Sequence, residues 1–248
     1  MNKMWNYIKD WFIEMGSPPL FFKWSSKILP WLMLVTFVVF ILGLAWGLFY
    51  SPTDYKQGDV YRIIYIHVPS AILGQSIFMF MAVCGFITMV WRVKISGMLL
   101  KSAAPIGASF TLLALLTGSI WGKPTWGTWW VWDARLTSEL ILFFIYIGHI
   151  LISNAYEDKT KGDRNAAILA LLGIVNLPVI KWSVDWWNTL HQPASISKFS
   201  SPSIDIAMMT PLIFMSIAFL SFFISLILLR IKGEILIRKI DVIKFSRA

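Results

Sequence analysis

Long apolar segments alternate with short polar segments along this chain, and six of the apolar ones have about the length needed to cross a bilayer. A membrane-spanning helix takes roughly 20 apolar residues, whereas the strands of a barrel alternate in polarity over about ten residues. The pattern therefore predicts an all-α, polytopic integral membrane protein folded as a six-helix transmembrane bundle. The predicted spans are residues 30–50, 69–91, 102–121, 136–156, 165–180 and 206–229.

The predicted spans are almost free of charge, since Glu139 is the one charged residue inside them. The fifth span is the weakest, because it is short and contains Asn176 and Pro178. Small residues recur at four-residue spacing in the third span, which predicts a face that packs closely against another helix. They are Ala103 with Gly107, and Ala104 with Ala108.

Lysine and arginine are distributed unequally between the two sides of these spans. Sixteen of them lie in residues 1–29, 92–101, 157–164 and 230–248, against six in residues 51–68, 122–135 and 181–205. Cytoplasmic segments carry the excess of positive charge, so we expect both termini in the cytoplasm and the other three loops on the outer side. We expect a membrane domain over residues 30–229, an interfacial helix within residues 1–29 and a basic tail, 230–248, against acidic lipid headgroups.

Composition narrows the class of protein. Hydrophobic residues make up 57% of the 248 residues and charged residues 14%, with a mean hydropathy of +0.68; soluble domains have about 45–50% and 25%. These values exclude a soluble globular enzyme and a disordered chain. Because the net charge of +9 falls on the predicted cytoplasmic side, it indicates membrane lipid and not nucleic acid as the partner. Cys84 is the single cysteine, so an internal disulfide and a CxxC motif are excluded.

The second outer loop is exceptionally rich in tryptophan. Five indoles fall within twelve residues, at Trp121, Trp126, Trp129, Trp130 and Trp132, and the third outer loop adds Trp182, Trp186 and Trp187. An aromatic belt at the headgroup level needs only one or two such rings at each helix end. Indoles offer large flat apolar faces with a single N–H donor, so the cluster favours binding of a flat, amphipathic ligand at the membrane surface.

Two of the three histidines flank this loop on the same side. His67 lies at the outer mouth of the second span, and His191 lies four residues after Trp187. Neutral imidazole is a good ligand for iron, so the pattern favours haem held by the tryptophans with His67 and His191 as axial ligands. His149 lies within the fourth span and is expected to be a packing or hydrogen-bonding residue.

Charged residues near the tryptophans could complete such a site. Haem carries two propionates, and Arg62 and Arg135 are our candidates for binding them, because arginine binds carboxylates bidentately. Simpler interpretations remain open, namely a solvated loop cation for Arg62 and an i,i+4 pair with Glu139 for Arg135. Asp133 is the last residue of the tryptophan run, and it is expected to cap the fourth span more than to contact a ligand.

The motifs resemble those of a known family. The stretch WGKPTWGTWWVWDARLTSE, residues 121–139, resembles the tryptophan-rich WWD signature of the haem-handling proteins. The stretches YIHVPS, 65–70, and SVDWWNTLHQ, 183–192, resemble the two histidine-bearing outer loops of the CcmC branch of that family. The resemblance covers nearly the whole chain in length, number of spans and order of motifs.

The resemblance implies a function in cytochrome c maturation. It implies binding of haem b as transient cargo at the periplasmic face of the bacterial inner membrane, with His67 and His191 on the iron. The tryptophans of the second loop and Asp133 are implied in the same site. It also implies presentation of haem to the chaperone CcmE and association with CcmA, CcmB and CcmD, with no independent catalysis by this chain.

Two other classes of function remain open. A permease subunit for another amphipathic substrate would need polar or small residues around a midplane cavity, which these spans mostly lack. An assembly subunit would use the tryptophan loop to dock a partner protein, and it would bind no pigment.

Overall fold

A computed structural model describes residues 17–187, 189–191 and 204–245. This part of the chain is helical and contains no β-strand, which confirms the predicted all-α class. Seven α-helices occur in the described residues: α1 (Pro18–Ala45), α2 (Ile64–Trp91), α3 (Lys94–Trp126), α4 (Ala134–Asn154), α5 (Lys159–Gly173), α6 (Asn176–Trp186) and α7 (Ile206–Phe245). A π-helical turn, Trp46–Tyr50, extends α1, and a 3₁₀ turn, Asp59–Ile63, leads into α2.

Six units of this architecture are long and apolar enough to span a membrane, which confirms the predicted number of spans. The fifth unit is divided into α5 and α6. Pro178 lies in the first turn of α6, where its missing N–H and its ring are tolerated, whereas they would interrupt a continuous helix. Asn176 donates a hydrogen bond to the carbonyl of Ser138 at 2.8 Å, so the break is fastened to α4.

Several helices run beyond the predicted spans. The third reaches Trp126 and so includes the first part of the predicted second outer loop. The last continues to Phe245, so most of the predicted basic tail is helical. Residues 18–29, placed by sequence in a separate interfacial segment, belong to α1. Residues 1–16, where that interfacial helix was expected, and much of the loop 181–205 lie outside the described residues.

The core is built around α2 and α3, which pack against each other most extensively, while α1 packs mainly on α7. The small-residue face of α3 is buried as predicted. A Cβ at Gly107 would come within 2.3 Å of the ring of Tyr146, and Tyr146 is fully buried and donates to the carbonyl of Gly74 at 2.7 Å. The close approach of α3 and α4 therefore depends on this glycine.

Ion pairs join the helices at the end opposite the tryptophan loop. Arg238 on α7 binds Asp163 of α5 through two hydrogen bonds of 2.8 and 3.0 Å. It also donates to Glu234 at 2.8 Å, and Glu234 accepts from Lys101 at 3.2 Å. Part of the charge in the predicted basic tail thus binds carboxylates of the bundle.

Candidate functional site

His67 lies in the first turns of α2 and is fixed by α3. Its Nδ1 atom is 3.1 Å from the carbonyl oxygen of Ala114 and 3.1 Å from the hydroxyl of Thr117. A carbonyl can only accept a hydrogen bond, so Nδ1 carries the ring proton and donates it. The lone pair of the neutral imidazole is then on Nε2, the nitrogen available to a ligand.

The slot for this imidazole is shaped by one face of α3. A Cβ at Gly118 would be 2.9 Å from Cε1 of His67, so the ring fits only because the side chain is absent. The indole of Trp121 meets the ring edge-on, with centroids 5.6 Å apart. Residues 114, 117, 118 and 121 follow the i, i+3, i+4, i+7 spacing that places side chains on one helix face. The sequence interpretation missed the first three of these, because only their spacing from Trp121 marks them.

Trp121 is itself anchored on the other side. Its indole N–H donates to the Gln57 side-chain oxygen at 2.7 Å. Gln57 belongs to the turn in which Asp54 and Gly58 form an isolated bridge, and no sequence pattern predicts this contact. This hydrogen bond joins the loop 51–68 to the tryptophan run.

The tryptophan run bends sharply at Gly127, where the backbone has a φ of +81° and α3 ends. The N–H of Gly127 donates to the carbonyl of Lys123 at 3.1 Å, and a residue with a side chain would be strained in this left-handed conformation. Beyond the bend, the rings of Trp130 and Trp132 pack edge to face at 5.6 Å. Most of the Trp129 and Trp132 side chains stay exposed, at 56% and 76%.

Trp130 carries an unusual polar group. Its indole nitrogen is buried and has no acceptor among the residues that the structure describes. A buried donor without an acceptor is rare in proteins and calls for an explanation. A ligand with acceptor oxygens beside this indole would supply one.

His191 lies in a short non-helical segment after α6. Its ring is 5.9 Å from that of Trp126, and its backbone N–H donates to the Thr189 hydroxyl at 3.1 Å. His67 and His191 therefore each contact an indole of the same tryptophan run, Trp121 and Trp126 respectively. The structure therefore brings together residues from three loops that the sequence placed on one side.

Asp133 has the capping role that was predicted for it. Its Oδ1 accepts a hydrogen bond from the N–H of Leu136 at 2.8 Å, and α4 begins at the next residue, Ala134. Its second oxygen accepts a hydrogen bond from the Thr189 hydroxyl. The same carboxylate thus contacts the start of α4 and the segment that carries His191.

An ion pair between Arg135 and Glu139, one of the interpretations that the sequence left open, is not among those formed in the described part of the chain. Glu139 is buried and accepts a hydrogen bond from Gln75 of α2 at 3.3 Å. The i,i+4 spacing allows a pair, but here the carboxylate is directed into the helix interface, and its charge acts on Arg135 only at longer range. The guanidinium of Arg135 makes no hydrogen bond to any described residue, which leaves its donors available to a ligand.

Arg62 is neither a solvated loop cation nor a free donor. Its guanidinium donates to Asp59 at 3.0 Å, to the carbonyl of Gly47 at 2.9 Å and to the hydroxyl of Ser51 at 2.9 Å. The side chain is only 17% exposed. Arg62 therefore joins the loop 51–68 to the end of the first span.

Two further groups of predicted residues have clear positions. The indoles of Trp182, Trp186 and Trp187 are about half exposed and contact one another in sequence, at 5.9 and 5.7 Å. His149 is fully buried in the core, as expected for a packing residue. Neither of its ring nitrogens has a hydrogen-bond partner within the described ranges.

The chain is similar to known proteins over most of its length. The family model for heme exporter protein C matches residues 11–246. The chain is 47% identical to the heme exporter protein C of Escherichia coli (strain K12) over 224 residues, which cover 90% of each chain. It is 44% identical to that of Bradyrhizobium diazoefficiens over 236 residues, covering 95% of this chain and 89% of the relative.

A plant relative shows the same likeness at similar identity. The "putative cytochrome c biosynthesis ccmC-like mitochondrial protein" of Marchantia polymorpha is 46% identical over 193 residues, covering 76% of this chain and 82% of its own. The match to the family model and the identity over most of the chain lead to one conclusion. This chain belongs to the heme exporter protein C family, CcmC.

Proposed function

We propose that this member of the CcmC family, which has a role in haem handling for cytochrome c biogenesis, holds haem b at the periplasmic face of the inner membrane. His67 and His191 bind the iron from opposite faces. The tryptophans of the second outer loop cover the macrocycle. The bound haem is then presented to the chaperone CcmE.

The observation that carries this proposal is the fixed tautomer of His67. Histidines that bind metals donate their other ring N–H to a carbonyl or carboxylate, which orients the ring and raises its basicity as a ligand. His67 has this arrangement through Ala114, in a slot that Gly118 leaves open.

The surroundings suit the rest of the cargo. Flat indole faces match an apolar macrocycle, and the unpartnered indole N–H of Trp130 offers a donor for an oxygen of the ligand. The propionates need cations, and Arg135 is better placed than Arg62, because the three hydrogen bonds of Arg62 already employ its guanidinium. Both arginines are candidates, and the haem affinities of Arg135→Gln and Arg62→Gln distinguish them.

The proposed partners and location follow from the family. We place both termini in the cytoplasm and the tryptophan loop on the periplasmic side, as the positive-inside rule predicts. The partners are CcmE as acceptor of the haem, with CcmA, CcmB and CcmD as components of the complex. This chain holds and presents haem and catalyses no reaction alone.

The test is the visible spectrum of the protein purified from haem-replete membranes. We expect a Soret band, together with the α and β bands of six-coordinate low-spin haem in the reduced form. His67→Ala and His191→Ala each shift or weaken these bands, whereas His149→Ala, which leaves the outer face unchanged, retains them. A folded but colourless protein would overturn the proposal and favour the partner-docking function of the tryptophan loop.

A further inference from the structure

We propose that Asp133 and Thr189 are positioning residues that hold His191 in place for the iron. The inference rests on the proposed function, because it assigns a task to residues that support one of the two axial ligands. It concerns a contact of two side chains that are 56 positions apart in sequence.

The hydrogen bonds of this contact have a fixed direction. The backbone N–H of His191 can only donate, so the Thr189 oxygen accepts it. The single hydroxyl proton of Thr189 is then donated to Oδ2 of Asp133, which as a carboxylate can only accept. Each group has one role, and the chain of bonds runs from His191 through Thr189 to Asp133.

Asp133 is itself held firmly. Its other oxygen accepts from the N–H of Leu136 at 2.8 Å, and its carbonyl accepts from the N–H of Thr137 at 3.0 Å. These bonds fix the carboxylate to the first turn of α4, a helix that crosses the bundle. Helix α4 thereby supports His191, which lies in a non-helical segment.

The Asp133–Thr189 contact also sets where the backbone of His191 lies in the site. His191 follows α6 by five residues, and no helix fixes its backbone. The bond to Thr189 holds this backbone while the ring lies beside Trp126. Since Asp133 directly follows Trp132, one carboxylate sets the position of the tryptophan run relative to His191.

The test uses the full chain loaded with haem in detergent, with three substitutions. Thr189→Val removes the hydroxyl while keeping the shape, and Thr189→Ser restores it. Asp133→Asn leaves only one side-chain oxygen as an acceptor. If that oxygen still caps α4, an NH2 group faces the Thr189 hydroxyl; if it faces Thr189, the cap of α4 is lost. Thr125→Val is the matched control, because Thr125 is exposed and its hydroxyl bonds only carbonyls of its own helix.

We expect Thr189→Val and Asp133→Asn to weaken haem retention by about tenfold or more, as for losses of groups that orient metal ligands. The iron should change from low spin towards high spin, because His191 no longer reaches it reliably. Added imidazole should restore the low-spin spectrum in both variants, which a general loss of structure would not allow. Thr189→Ser and Thr125→Val should behave like the unmodified protein.

Two outcomes separate this inference from the proposed function. If Thr189→Val keeps the low-spin spectrum and the haem, while His191→Ala loses them, the positioning role is wrong and ligation by His191 stands. If His191→Ala itself leaves the spectrum unchanged, the proposed ligation is wrong. If Thr189→Val does not fold, Asp133→Asn takes its place in the test. Added imidazole restores the low-spin spectrum of Asp133→Asn if the positioning role is correct, and a spectrum that is not restored overturns it.

Discussion

Gly118→Ala is the sharpest test of how α3 holds the ring of His67, because the substitution adds only one methyl group. The added Cβ would lie 2.9 Å from Cε1 of His67, whereas carbon atoms pack favourably at about 3.5–4.0 Å. The ring must therefore retreat from α3 by roughly 0.6 Å. Ala114 lies one turn away on the same helix, so the retreat lengthens the Nδ1–oxygen distance of 3.1 Å. At about 3.6 Å or more the hydrogen bond is lost.

The expected effect is on the binding of haem more than on the fold. Loss of a bond that orients a metal ligand typically lowers affinity 10–100-fold, or about 1.4–2.7 kcal/mol. The assay is titration of haem-free protein in detergent, followed at the Soret band. Gly233→Ala is the control, because a Cβ at that position has no atom within 4 Å. A folded Gly118→Ala protein with unchanged affinity would refute the view that the ring is held rigidly for the iron.

Three further predictions follow from single contacts. Gly107→Ala places a Cβ within 2.3 Å of the ring of Tyr146, so we expect about 1–3 kcal/mol of destabilisation and a lower Tm in detergent; an unchanged Tm would contradict the close packing of α3 on α4. Arg135→Gln should weaken haem binding in the same titration by about 10–150-fold, as for loss of a charged hydrogen bond of about 1.5–3 kcal/mol, and by more than Arg62→Gln; the reverse order would assign the propionates to Arg62. Trp130→Phe removes a buried N–H without an acceptor in the described chain, so the haem-free protein should gain stability by about 1 kcal/mol or more while haem affinity falls. Equal behaviour of Trp130→Phe and unmodified protein in both the melt and the titration would show that this N–H has no part in binding.

The number and type of the spans could be predicted from the sequence, because a bilayer imposes length and apolarity on each helix. The ends of the helices could not be predicted in the same way. Residues such as Lys94 and Lys101 interrupt the apolar pattern, yet they lie within α3. A helix does not stop where hydrophobicity stops, since backbone hydrogen bonds continue until a breaking or capping residue, here Gly127, ends it.

The residues proposed for the site could be singled out from the sequence, but the residues that support them could not. Ala114 contributes only a backbone carbonyl and Gly118 only the absence of a side chain, so neither residue type indicates a site. Thr189 and Gln57 act across contacts that tertiary packing creates. The Arg135–Glu139 pair failed for the same reason, because a hydrogen bond from Gln75 on another helix directs Glu139 away.

The two histidines are held by structures of different stiffness, and this difference bears on how haem could be released in the proposed mode of binding. His67 lies on a helix, and its seat is part of the α2–α3 interface, the most extensive in the bundle. His191 is held through Thr189 and one carboxylate, by bonds that contribute about 0.5–3 kcal/mol each. Loss of these two bonds would weaken the support of His191 without disturbing the α2–α3 interface. A carrier that must both hold and give up its cargo is therefore expected to release the His191 side first, with His67 as the lasting ligand.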